Sequence, residues 1–245
     1  MGRFHRALWP IDGPTCKDIK QTSVPDCFLA ATLCVLADRA PHWLQSAVRK
    51  VDPEDADDGS TVDTAEFNIF KYREPEAIER SSTGANQMMI DQTSDHVWTR
   101  MNYADDIMGE ETDGKATYES TDMIPTWWVP GFQNAAQKMF GDDFLQGGYT
   151  LEALAMLTNR ITIDISDDIF KKASYTPVTL GTVDDPGKLV GNHAYAVLSA
   201  QMDDDDETVT LHNPWGKTDT YKLKDIFNDI AHVTHLKNWD ILKPA

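Results

Sequence analysis

The run FLAATLCVLA at residues 28–37 carries no charge over ten positions. Wound as a helix it is apolar on every side, so it belongs inside a core and not on a surface. It is also far shorter than the ~20 residues that cross a bilayer. The rest of the chain must therefore wrap around it. Ser23, Pro25 and Asp26 punctuate its start, with Asp26 as the expected N-cap whose carboxylate takes a free backbone N–H. That boundary puts Cys27 at the helix N-terminus, where the positive end of the helix dipole is expected to lower a thiol pKa. With 41% hydrophobic residues, 7 Trp, 7 Tyr and 9 Phe in 245 residues, there is enough apolar surface for such a core, and disorder is excluded as the default.

The remaining elements follow from periodicity. PHWLQSAVRKV at 41–51 reads as a second helix, the acidic DPEDADDGS at 52–60 as a turn, and TVDTAEFNIFKYR as a strand. Residues 74–126 show no sustained pattern. WWVPGFQNAAQKMFGDDF predicts a helix over about 131–140 ended by Gly141, with Trp127 and Trp128 as packing residues. Gly147 and Gly148 mark a break before a short helix carrying Leu151, Leu154 and Leu157. Beyond it, ITIDIS, YTPVTLGTV, HAYAVLSAQ and ETVTLHNPW are short β-rich runs split by Asp, Gly and Pro, and KLKDIFNDIAHV reads as a final helix. The pattern is α+β: a mainly helical part at 1–145 and a β-rich part at 146–245.

Charge narrows the partners. Against 22 Lys plus Arg stand 40 Asp plus Glu, a net charge of −18, the wrong sign for binding phosphates, so nucleic acid is excluded and a basic partner or inhibitor fits better. No membrane span is expected. The first residues lack the apolar core of a secretory signal and no Asn-x-Ser/Thr acceptor occurs, so the expected location is cytoplasmic, with signal-independent export as an effector or toxin the alternative. A monomer is expected. Cys27 and Cys34, seven residues apart on one helix, lie about 10 Å apart and cannot bridge. Only Cys16 could pair with either, and a lone bridge would be atypical in a chain this long, so all three are read as thiols, with Cys34 as inert core. Without CxxC or HExxH spacing they make a poor zinc set, and His232 and His235 are read as surface or core residues. Setting Gly59 at the sixth place of an EF-hand loop puts Ala56 at the third and Ala65 at the twelfth, so no calcium loop forms there. The Asp203–Asp206 run is read as a solvated hairpin turn.

Nucleophilic cysteine chemistry needs a thiol, a base, a group that orients the base, and donors for the developing oxyanion. Cys27 supplies the first, and Gln21, six residues earlier, can supply an amide donor. If HAYAVLSA and TVTLHNPW pair as a hairpin with a register centred on residue 204, His193 faces Trp215 and Tyr195 faces Asn213, all on one face at one end. Asn213 can then fix the imidazole tautomer while Trp215 covers that bond from water.

These segments resemble a known family. QTSVPDCFLAATLCVLA is similar to the active-site cysteine segment of calpain-type papain-like proteases, GNHAYAVL to their histidine segment and LHNPWG to their Asn-Pro-Trp-Gly segment. WWVPGFQNAAQKMFGDDFLQGGYTLEALAMLT resembles the helix and Gly-Gly stretch between them. The order and spacing cover most of residues 16–240. The resemblance implies a papain-like, two-lobed core that hydrolyses peptide bonds of a protein or peptide substrate through an acyl-enzyme and needs no cofactor. Cys27 would be the nucleophile, His193 the base and Asn213 its orienter. Gln21 and the Cys27 N–H would form the oxyanion hole, Gly147 and Gly148 would hold the substrate backbone, and Trp215 would shield the site. The chain departs from the pattern at Asn192 and Pro25, both usually Gly, and at Phe28, commonly Trp. It also lacks the acidic, tryptophan-rich stretch after NPWG that helps bind calcium, so calcium dependence and metal ligands are not expected. An inactive binding module and a transglutaminase-like acyl transferase are the alternatives.

Overall fold

The computed structural model describes residues 7–22, 24–51, 62–80, 86–91, 93, 95–107, 126–164, 170, 173–202, 207–238 and 240–242. The acidic stretch at 52–60 and the Asp203–Asp206 run, both read as turns, fall outside the described residues, as does most of the rejected EF-hand loop. Helix α1 (Cys27–Arg39) is the buried helix the sequence demands: each residue from Phe28 to Ala37 is buried. Its end is tied down by Arg39, whose guanidinium donates to the carbonyls of Ala173 and Leu198. No helix among the described residues is long and apolar enough to cross a membrane.

α2 (Pro41–Ser46) stops short of its expected end because Val48–Lys50 becomes strand β1 and pairs with β2 (Thr64–Phe70). There the Arg49 guanidinium stacks 4.3 Å from the Trp98 ring and pairs with Glu66, contacts a helix would not offer. Strands β3 (Glu76–Arg80), β4 (Asn86–Ile90) and β5 (His96–Asn102) occupy part of the stretch without visible periodicity. β5 completes a three-stranded antiparallel sheet in the order β1-β2-β5. α3 (Trp128–Phe140) begins three residues before its expected start, since Pro130 lies in the first turn, where a missing N–H costs nothing. It stops at Gly141, as expected. α4 (Thr150–Thr158) follows.

The second sheet holds β6 (Thr162–Asp164), β7 (Val178–Thr182), β8 (Ala194–Gln201), β9 (Thr208–Asn213), β10 (Lys217–Lys222) and β11 (Ile230–Leu236), together with β3 and β4. Its order is β10-β9-β8-β7-β11-β6-β4-β3, with every neighbouring pair antiparallel. The predicted terminal helix reduces to one turn, α5 (Leu223–Ile226), and a 3-10 turn; the rest is β11, held between β7 and β6. The β8–β9 hairpin keeps the expected register beside its open end, Ala196 opposite His212 and Val197 opposite Leu211. A bulge between Val197 and Ser199 then shifts it by one residue.

Alternation along β8 divides the interior in two. Ala194 and Ala196 join the cluster built around α1, α2, α3, α4 and β2, while Tyr195 and Val197 join a second cluster with Leu180, Val209, Leu211 and Val233. The two alanines let α1 lie close on the sheet, which fixes where Cys27 meets the start of β8. α4, after residue 145, packs Leu154 and Leu157 into the first cluster, whereas β3 and β4, before it, extend the large sheet. The three-thiol reading fails for two cysteines. Cys16, on the single turn Cys16–Asp18, is disulfide-bonded to Cys34 of α1 with Cα atoms 4.2 Å apart, and Cys27 is the free thiol. The spacing argument left Cys16 as the one available partner; it could not see that this turn packs on α1 at Cys34.

Candidate active site

Cys27 is the first residue of α1 and half-buried. The backbone N–H of Ala194, the residue next to His193, is close enough to its sulfur to favour the thiolate. Burial pushes the thiol pKa above its ordinary value; the Ala194 amide opposes this and the Asp26 carboxylate adds to it. The expected lowering by the helix dipole therefore does not prevail. Asp26 holds the N-cap position as expected, but its carboxylate makes no capping bond: it is fully buried and its Oδ2 accepts from the Gln133 side chain on α3.

His193 stands at the mouth of the β8–β9 hairpin, and its Nε2 lies 2.9 Å from Asn213 Oδ1. The same oxygen accepts the Trp215 backbone N–H at 2.9 Å. Because a backbone N–H can only donate, the atom of Asn213 facing both groups must be oxygen. Nε2 therefore carries a proton, and Nδ1 of the neutral ring keeps its lone pair. The Trp215 ring packs 4.7 Å from the imidazole centroid, and the Tyr195 ring meets it edge-on at 5.2 Å. Burial lowers the His193 pKa and the Asn213 bond works against it. With the thiol raised by burial and the imidazole lowered by it, both groups are uncharged near neutral pH.

Cys27, His193, Gly147 and Gly148 line one cleft of about 760 Å³. Gly148 is required by close approach: a Cβ there would come within 2.9 Å of the Phe28 ring. Gln21 is buried and is not among the cleft-lining residues. Its backbone N–H donates to Pro214 C=O and its Nε2 donates to Val24 C=O, both at 2.8 Å. The cleft also takes Tyr149 and Asp184, which sequence reasoning did not single out, and His232, which it read as a surface or core residue. Asp184 sits in an ordinary DDPG turn, and His232 falls in the stretch that reads as helix. Facing strand β7, its ring occupies the space a Cβ on Gly181 would need.

Residues 4–224, most of the chain, match the family described as calpain family cysteine protease. The chain belongs to the calpain family. No curated protein matches it. The calpain-family segments quoted from the sequence are those brought together here: the cysteine segment through Cys27, the histidine segment through His193 and the Asn-Pro-Trp-Gly segment through Asn213. The departure at Asn192 has a backbone cause. Its φ is +47°, in the left-handed region where glycine is favoured and asparagine is the best-tolerated replacement. Its side-chain amide is held by Asp184 on the cleft wall.

Proposed function

We propose that this calpain-family chain is a cysteine endopeptidase of two-lobed, papain-like build, with α1 in a mainly helical lobe and His193 and Asn213 in a β-rich lobe. Cys27 attacks the peptide carbonyl as His193 Nδ1 takes the thiol proton. The tetrahedral intermediate collapses to an acyl-enzyme while the proton passes to the leaving amine, and water activated by the same nitrogen releases the product. Asn213 orients the ring, and Trp215 covers the bond between them from solvent. The Cys27 N–H, free at the start of a helix, and the second N–H of Gln21 Nε2 stabilise the oxyanion. The substrate backbone runs past Gly147 and Gly148, and the net charge of −18 favours neutral or basic protein segments.

The observation that supports this reading most is the doubly held Asn213 amide fixing the histidine tautomer beside a free thiol. The chain lacks the acidic, tryptophan-rich stretch after NPWG, and Lys217–Lys222 there is a strand paired with β9; both support turnover that is independent of calcium.

An epoxysuccinyl peptide will add once, at Cys27, equally in calcium and in chelator, as read by mass spectrometry of the intact chain and its peptides. Absence of labelling under both conditions would show an inactive binding module. Products that gain an amine instead of water would show an acyl transferase. Gln21→Ala is expected to lower kcat by on the order of 10²–10³, the loss that follows removal of one oxyanion donor; unchanged turnover rejects that role.

A further inference from the structure

The Cys16–Cys34 pair has a third neighbour, His212. One ring nitrogen of His212 and the two sulfurs lie within 4.8 Å of one another, and all three residues are buried. His212 Nδ1 is 2.7 Å from the Thr218 hydroxyl, while Nε2 is buried without a hydrogen-bond partner. The ring is only 6% exposed, so an unsatisfied nitrogen there carries a desolvation cost that a ligand would remove.

We propose that Cys16, Cys34 and His212, once the disulfide is reduced, form a binding site for one borderline-soft divalent cation of the zinc class. A dithiol delivers two electrons and two protons, turns the S–S bond into two thiols and leaves as its own disulfide; a phosphine delivers the two electrons while one water supplies both thiol protons and the oxygen of the phosphine oxide. The cation then displaces both thiol protons and takes two thiolates and the neutral Nε2 as ligands, releasing two protons to solvent. Two sulfurs and one imidazole are the donor set such a cation selects over magnesium or calcium. Tetrahedral bonds of about 2.3 Å to sulfur and about 2.0 Å to nitrogen place ligand atoms roughly 3.5–3.8 Å apart, so the histidine needs little movement and the sulfurs must separate. Cys16 can supply that movement because it sits on one short turn, whereas Cys34 and His212 are fixed in α1 and β9. The Thr218 hydroxyl accepting from Nδ1–H is the outer partner that keeps the lone pair on Nε2. Cys16 and His212 also line a cavity of about 870 Å³ beside Trp215, from which water reaches the fourth position.

This site is separate from the cleft of Cys27 and His193. It nevertheless joins the three segments that carry Gln21, Cys27 and Asn213, since Cys16 precedes Gln21, Cys34 shares α1 with Cys27, and His212 adjoins Asn213.

The test uses the full chain and its Cys27→Ser variant, reduced with a phosphine, freed of metal and titrated with Co²⁺. The expected result is one cobalt per chain with a thiolate-to-metal charge-transfer band, displaced by Zn²⁺ and the same in both chains. Cys16→Ser and His212→Gln should lose the band, and Thr218→Val, a change at an exposed side chain that leaves the fold intact, should weaken binding roughly 10- to 100-fold. Several outcomes overturn the site: cobalt uptake without a charge-transfer band, equal uptake by the Cys16→Ser chain or by the unreduced chain, or a disulfide that yields only when the protein unfolds. Because the readout is metal content and absorption, it stands or falls independently of peptidase activity.

Discussion

Cys27→Ala and His193→Ala are each expected to lower kcat/KM for a peptide substrate by at least about 10⁴-fold, with the double variant losing no more than either single one. Groups that act as one unit fail together, because a thiol without its base and a base without its thiol are equally idle. The pH profile of the unmodified protein carries the sign of the ground state. Burial holds the His193 pKa below its ordinary 6.5, so the acid limb, where the ring becomes protonated and cannot accept a proton, lies below pH 6.5. Burial holds the Cys27 pKa above its ordinary 9.0, so the alkaline limb lies above pH 9. Between them kcat/KM is level. A limb inside that window contradicts the neutral pair, and additive losses in the double variant contradict the coupled roles.

What the sequence revealed, and what it hid, divides along the range of the interactions. The buried helix through Cys27 and the register that brings His193 to Asn213 were both readable, since each depends on a period carried by neighbouring residues: apolar on all sides in one case, alternation in the other. The bulge beyond Val197 left that register intact at the site because it lies on the far side of it. Long-range packing overrode local signals elsewhere. Leu223, Ile226 and Ile230 have helical spacing, yet β7 and β6 claim the chain from Ile230 to Leu236 as a strand, which is how His232 reaches the cleft. The Cys16–Cys34 bond and its His212 neighbour join three separate segments and leave no mark in spacing. The direction of the Cys27 pKa was misjudged for a related reason: the dipole at a helix start is a local feature, whereas burial under β8 is not.

Phe28→Ala should be the most damaging single truncation near the site, costing about 3–5 kcal/mol, a loss read from the shift of the urea midpoint. The ring is 1% exposed, meets Phe144 edge-on at 5.5 Å and lies directly beneath Gly148. Removing it leaves a void that α1, closely packed on the alanines of β8, cannot collapse to fill. The loss is a large share of the 5–15 kcal/mol typical of a folded domain. In the fraction that remains folded, KM should rise as well, because the Gly147–Gly148 segment loses the surface it rests on. Phe227→Ala is the matching control: with 54% of that residue exposed, its removal should change stability by about 0.5 kcal/mol or less. Equal losses in the two variants would mean that Phe28 does not pack as described, and a destabilised chain with unchanged KM would separate the ring's place in the core from any support of the cleft.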